Sequence, residues 1–365
     1  MHMADALLSP AVGGAMYVAS GAVLAYSVKQ MRNNFDEKRI PLMGMMGAAV
    51  FAAQMINFSI PGTGSSGHVA GALILACMLG AAPAFIVMAS ILLIQCLLFA
   101  DGGLLAFGCN LFNMGFFGCF LGYQYIFKPL AGKEFNPGRT IAAAAVASVV
   151  SLELGAFCVT LQTLASGVTS LPFGTFVAAM LPIHIAIGLV EGIATGIVLV
   201  FVHKNVPHFM ETKLEENRLS LTNLALVFGL AALVIGGGLS LIACGDPDGL
   251  EWSIERLTGS TEVENASTTK IHELSEKITE HTAILPDYDF KGEAEEKPAE
   301  DAAAKPAEGA AEQAIETEEE GGFLGTTVSG LVGCIICALV LVGIAWIITK
   351  HANKQQQNPD LEQSA

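Results

Sequence analysis

Gly80-Ala81-Ala82-Pro83 decides how many times this chain crosses a membrane. The stretch separates two apolar runs, 68–82 and 83–100. Proline lacks an N–H and its ring clashes with the preceding helical turn, so it ends a helix or kinks it. If a helix ends there, the chain holds nine apolar runs, near 11–28, 40–58, 68–82, 83–100, 104–127, 140–165, 177–202, 219–243 and 323–349. A spanning helix needs about 20 residues, and the third run is short for that. The basic residues arbitrate. Lys29, Arg32, Lys38 and Arg39 follow the first run, Lys128, Lys133 and Arg139 the fifth, Lys204, Lys213 and Arg218 the seventh, and Lys350 and Lys354 the ninth. With nine spans every cluster falls on one side, the cytoplasm by the positive-inside rule. The expectation is an all-α membrane protein of the cell (inner) membrane. Its N-terminus, its 59–67 loop and its 244–322 insert are extracytoplasmic, and its C-terminus is cytoplasmic.

Composition agrees. Hydrophobic residues make up 53% of the 365 and charged residues 14%, the profile of a membrane protein. The net charge of −16 is local: 244–322 carries 22 acids and 6 bases, and the rest of the chain is neutral. An acidic insert on a neutral body excludes a nucleic-acid partner and leaves lipid as the surrounding medium. The insert opens with Cys244-Gly-Asp-Pro-Asp-Gly-Leu-Glu-Trp252, has a helical stretch near 264–281, and continues as a tether over about 291–320. That tether is rich in Glu, Ala, Lys and Pro, with too little apolar surface to order itself. Seven of the eight cysteines lie in apolar runs and Cys244 at the edge of one, so they read as packing residues. The first ten residues have no basic region and include Asp5 and Pro10. A cleaved signal peptide is not expected.

The first two residues carry the chemistry. A histidine directly after Met1 offers three nitrogens in a row: the α-amine, the His2 amide and the His2 imidazole. They close fused chelate rings in one plane, the geometry Ni(II) and Cu(II) prefer with nitrogen ligands. His68, at the end of Gly62-Thr63-Gly64-Ser65-Ser66-Gly67-His68, is the candidate fourth ligand. Gln54, Asn57, Ser65 and Ser66 can orient an imidazole by hydrogen bonds. Gln54 and Asn57 can equally bond neighbouring helices. Gly62 to Gly67 has the outline of a phosphate loop, but His68-Val69 stands where Lys-Ser/Thr is required. The chain therefore shows no ATPase of its own. A serine two or three residues from a histidine is no nucleophile–base pair, and no enzyme is expected. Glu153, His184 and Glu191 sit in apolar runs, where ionisable residues pair, line a cavity or fix packing. His184 and Glu191 are seven apart and share a helix face. Small residues recur at Ala11/Ala15/Ala19 and Gly44/Ala48/Ala52, as packing or as a docking face.

Met1-His2 through Pro10, Phe51 through Phe58, Gly62 through His68 and His184 through Gly192 together resemble the CbiM/NikM family, the substrate-binding (S) components of energy-coupling factor transporters for cobalt and nickel. Asp246-Pro-Asp-Gly-Leu-Glu-Trp252, with one helix before it and one after, is similar to the PDGLE accessory domain. The resemblance implies a metal-binding domain over 1–210, a helical bundle of about seven helices. It implies an accessory domain over 211–365, built of helix 219–243, insert 244–322 and helix 323–349. It implies a planar metal held by the Met1 amine, the His2 amide and imidazole, and His68. It further implies a transmembrane coupling (T) subunit and two cytoplasmic ATPase subunits of an ABC transporter as partners. No cofactor is implied beyond the transported Ni2+ or Co2+, with nickel favoured over cobalt because the fused accessory domain resembles nickel systems. The family's loop usually has two adjacent glycines after the proline; here Thr63 separates Gly62 from Gly64. The alternatives are a membrane metal sensor that does not transport and a stand-alone secondary carrier, which often shows internal repeats that are not evident here. The insert is expected to act in metal delivery rather than in coordination.

Overall fold

The structure, a computed structural model, describes residues 1–34, 36–206, 221–261, 263, 269–290 and 310–357. It is helical apart from one small hairpin. The helices are α1 (Pro10–Asn34), α2 (Ile40–Gln54), α3 (Ala72–Leu79), α4 (Ala81–Phe99), α5 (Phe107–Asn110), α6 (Lys128–Ala131), α7 (Pro137–Ser166), α8 (Phe173–Asn205), α9 (Leu221–Gly237), α10 (Gly249–Thr258), α11 (Lys270–Thr282) and α12 (Ala310–Gln357). A π-wound segment, Leu111–Phe127, joins α5 to α6. Among the described residues five helices are long and apolar enough to cross a membrane: Pro10–Asn33, Ala81–Phe99, Pro137–Ser166, Phe173–Asn205 and Leu324–Lys350. Their outward faces are apolar. Ile185, Leu189, Ile193 and Ile197 of α8 and Leu226, Leu230 and Leu233 of α9 are exposed, as lipid-facing side chains must be. This is a multi-pass membrane protein.

Three expectations need correction. First, the break between the third and fourth runs is at Gly80, not Pro83. Gly80 takes φ 93°, ψ 159°, a conformation open to glycine and strained for any residue with a Cβ. Pro83 is the third residue of α4, inside the first turn, where its missing N–H has no helical partner to lose. Second, the third run yields only the eight-residue α3, about 12 Å long and too short to cross alone. The remainder is the turn region before it, folded into the protein. Third, the tether expected over 291–320 is only partly covered: 291–309 lie outside the described residues, while from Ala310 onward the backbone belongs to α12. The helix expected at 264–281 is α11, starting at Lys270.

Local chemistry places these elements. Asn136 caps α7, its side chain accepting the Arg139 N–H at 2.9 Å, with Pro137 at the first turn. Gly188, Gly192 and Gly196 of α8 then sit against α7, where an added Cβ would come within 2.8 Å of Val149 Cα, 2.4 Å of Ala145 Cα and 2.6 Å of Ile141 Cα. At four-residue spacing such glycines let two helices touch backbone to backbone. On the other side α2, α9 and α12 pack together. Gly44 and Ala48 face α12, where a Cβ at Gly44 would meet Val342 at 2.6 Å and the Cys334 thiol approaches the Ala48 carbonyl at 3.6 Å. The Gly44/Ala48 stripe is therefore internal packing. Ala11 and Ala15 are exposed on α1. All eight cysteines are free.

The hairpin pairs β1 (Phe58–Ile60) with β2 (Ser65–Gly67) in the register Phe58↔Gly67, Ser59↔Ser66, Ile60↔Ser65. Its turn needs Gly62 at φ 78° and Gly64 at φ 73°, left-handed positions suited to glycine. Thr63 between them donates its hydroxyl to the Ile60 carbonyl at 2.7 Å and accepts the Ser65 N–H at 3.1 Å. The separated glycines thus close a turn of their own.

Candidate metal centre

The N-terminal segment is threaded into the protein. Met1 is 5% exposed and Met3 fully buried. Asn110 grips Met3 from both sides: its carbonyl accepts the Met3 N–H at 2.7 Å and its amide donates to the Met3 carbonyl at 3.1 Å. The same carbonyl accepts the Gly103 N–H at 3.0 Å. Asp5 accepts from the Ala106 N–H at 2.9 Å and from the Ser275 hydroxyl. These bonds fix the first two residues against the base of a vestibule of about 1680 Å³, lined by His2, His68, Asp101, Asp248, Glu251 and others.

His2 and His68 meet there. Their rings are stacked, with centroids 5.4 Å apart and planes 14° from parallel. The His2 Nδ1 faces Asp101 Oδ1 at 3.3 Å, and His2 Nε2 is buried with no partner among the described residues. The Asp101 carboxylate is itself held by the Tyr288 hydroxyl at 2.6 Å. Burial drives the His2 imidazole below its ordinary range against the opposing pull of Asp101. Burial and the nearby α-ammonium hold His68 well below it. Both rings are therefore neutral around pH 7, with lone pairs available. Among the described residues no group of three or more His, Cys, Asp or Glu side chains has the spacing to hold a metal ion. A metal here would need main-chain nitrogen as well.

The loop that carries His68 is tied down just after it, at Ala70 and Gly71. Glu191 of α8 accepts the N–H groups of Ala70 at 2.8 Å and Gly71 at 3.1 Å. Gln54 donates to the Ala70 carbonyl at 2.8 Å and accepts from Gln95 at 2.9 Å. His184 does not pair with Glu191. Its Nδ1–H donates to the Met180 carbonyl at 2.7 Å, leaving Nε2 buried and without a partner among the described residues. It lines a small internal cavity of about 10 Å³ with Met1, His68 and Asp248. Glu153 lines neither space. Asn57 lines the vestibule, and its carbonyl accepts the Cys244 N–H at 2.7 Å.

The insert closes the site from above. The Ser66 N–H donates to the Pro247 carbonyl at 2.8 Å and its hydroxyl to the Asp246 carbonyl at 2.7 Å. Ser65 donates to the Ser66 carbonyl at 3.1 Å and reaches Pro247 at 3.5 Å. The Trp252 indole donates to the Thr63 carbonyl at 3.0 Å. His272 of α11 donates its Nε2–H to the Leu8 carbonyl at 2.9 Å. Asp248, in the middle of this contact, forms an ion pair with the α-ammonium of Met1. Burial pushes its carboxyl up, but the ammonium beside it and the hydrogen bond from the Leu250 N–H outweigh that and hold it far below the usual carboxylate range.

Two family models match this architecture. One, described as the cobalt uptake substrate-specific transmembrane region, CbiM, covers residues 2–209. The chain belongs to the CbiM family. The other is the PDGLE domain, over residues 222–350, which places the insert and its two flanking helices in one module fused to the CbiM region. A provisionally named fused nickel transport protein, NikMN of Archaeoglobus fulgidus, is 35% identical over 237 residues, 64% of this chain and 76% of that one. LarMN of Lactiplantibacillus plantarum, also provisionally named a fused nickel transport protein, is 31% identical over 278 residues, 73% of this chain and 83% of that one. A solved transition metal transporter is 30% identical, with a TM-score of 0.51 over 59% of this chain and all of that one.

Sequence reasoning missed Asp248, Asp101, Gln95 and Asn110. The last two carry a readable signal, as polar residues inside apolar runs. Asp248 has one too: with Glu251 it forms a capping box that starts α10, and Asp-x-x-Glu is legible as a helix start. Neither signal reveals that the carboxylate reaches Met1.

Proposed function

We propose that this CbiM-family protein captures a divalent transition metal, nickel before cobalt, as the substrate-binding membrane component of an energy-coupling factor ABC transporter. The observation that carries the reading is that Asp248 holds the buried Met1 amine and lies 3.7 Å from His68, whose ring stacks on His2 in an acidic vestibule. The amine, the His2 amide and imidazole, and His68 are the four nitrogens of a planar site, and the vestibule carboxylates concentrate cations above it. The named relatives are fused nickel transport proteins, which supports nickel. The site opens on the face that holds the N-terminus, the 58–71 region and the PDGLE module. The opposite end carries Lys38, Arg39, Lys133 and Arg139, and there Phe135 stacks on His203 at 3.6 Å. By the positive-inside rule the basic end is cytoplasmic and the vestibule extracytoplasmic.

The chain shows no nucleotide-binding loop, so transport requires a coupling subunit and two ATPase subunits on the cytoplasmic side. Uptake of 63Ni by cells carrying this chain with and without those ATPases tests the assignment. Uptake that depends on the ATPases and on His2 is the expected result. Uptake that persists without them would make the chain a secondary carrier, and binding without any uptake would make it a sensor.

A further inference from the structure

Asp248 divides its carboxylate between two jobs. Oδ1 caps α10, accepting the N–H groups of Leu250 at 2.8 Å and Glu251 at 3.3 Å. Oδ2 faces the site, in contact with the Met1 ammonium and 3.7 Å from His68 Nδ1. The residue cannot swing away cheaply. Its N–H donates to Glu251 at 3.0 Å, its main chain bridges to Ser66, and at Gly249 a Cβ would come within 3.1 Å of His184. The side chain is 15% exposed.

A carboxylate this enclosed needs a cation. Among the described residues the α-ammonium of Met1 is the cation placed in contact with it, and His184 turns a nitrogen without a partner to the adjoining cavity. A metal ligated by Met1 takes that amine, displacing its proton and the proton of the His2 peptide N–H to the vestibule water. The ammonium charge then disappears and the divalent ion replaces it. A divalent ion on one peptide anion carries a single net positive charge, and Asp248 cancels it. Resting on the metal-capture reading above, we propose that Asp248 presents Oδ2 to the bound metal as an oxygen ligand outside the nitrogen plane. The PDGLE module then contributes a ligand as well as a cover. Metal–nitrogen bonds are about 2.0–2.1 Å, so donors sharing one ion lie some 3–4 Å apart, as His68 Nδ1 and Asp248 Oδ2 do.

The test uses the full chain with an unmodified Met1 and a C-terminal tag, in detergent, titrated with Ni(II) alone. Asp248→Asn keeps the α10 cap, because asparagine caps as well as aspartate, and removes the charge. Its expected effect is a roughly 10–100-fold loss of Ni(II) affinity, full stoichiometry at saturation and a changed ligand-field spectrum. Asp248→Glu should recover part of the affinity. Trp252→Phe breaks the hydrogen bond to Thr63 without touching the charge and should leave the spectrum unchanged. Wild-type affinity and spectrum in Asp248→Asn would overturn the proposal, as would a Trp252→Phe variant that reproduces its spectrum. His2→Ala and His68→Ala separate the two ideas. If they abolish binding while Asp248→Asn behaves as wild type, only the oxygen ligand fails; if they bind normally, the nitrogen site fails as well.

Discussion

One residue added before Met1 should empty the metal site. The extension turns the α-amine into an amide, which removes a ligand and the cation that faces Asp248. Leaving a buried carboxylate without its partner costs about 3 kcal/mol or more. There is also little room: the cavity beside Met1 is about 10 Å³, at most the space of about one water. The N-terminal strand must therefore withdraw, and exposing the 5%-exposed Met1 side chain costs roughly another 2 kcal/mol. Together, on the order of 5 kcal/mol corresponds to a several-thousand-fold loss of the threaded state. The assay is nickel and cobalt content by mass spectrometry of protein purified with the tag at either end. The C-terminally tagged protein should carry metal near one per chain and the N-terminally extended protein almost none. Equal metal in both would refute amine ligation.

Three other outcomes are expected. His2→Ala and His68→Ala should each abolish bound metal yet leave the thermal transition of the metal-free protein nearly unchanged, while His203→Ala, at the far end, should keep the metal. Glu191→Gln should weaken metal binding by roughly tenfold, since glutamine offers one acceptor oxygen where the carboxylate holds two loop N–H groups, and a charged hydrogen bond is worth about 1.5–3 kcal/mol; loop position can be read from hydrogen exchange at Ala70 and Gly71. Metal affinity should fall as pH falls, by about tenfold per unit for each proton that ligation releases. Because burial lowers the His2 and His68 values, the imidazoles add no proton to this release between pH 8 and their ordinary value near 6.5. Calorimetry in buffers of different ionisation enthalpy would count the protons that ligation releases.

The PDGLE module changes the picture of the site. The sequence of the acidic insert predicts a delivery segment. In the structure it fastens to the 62–68 turn through Ser65, Ser66, Thr63 and Trp252, and to the N-terminal segment through His272 and Ser275. His2 lines a vestibule whose walls include this module. Its acids therefore line the approach, and one of them, Asp248, reaches the end of it.

Hydropathy determined the membrane class and the order of the apolar helices, because burial in lipid is written residue by residue along the chain, and the basic clusters separated the third run from the fourth. The candidate ligands were legible for a related reason: an amine, an amide and an imidazole in two consecutive residues form chelate rings whatever the fold. The position of the break was not legible, because Pro83 and Gly80 both interrupt a helix and only the backbone reveals that Gly80 carries the positive φ while Pro83 sits harmlessly in a first turn. Glu191 could be flagged as intramembrane, but its partners are main-chain N–H groups more than a hundred residues away. Asp248 lies 247 positions from the amine it touches. Such contacts depend on how α8, the 58–71 hairpin and the capped start of α10 stack against one another, and no local pattern encodes the distance between segments that meet only after the helices have packed.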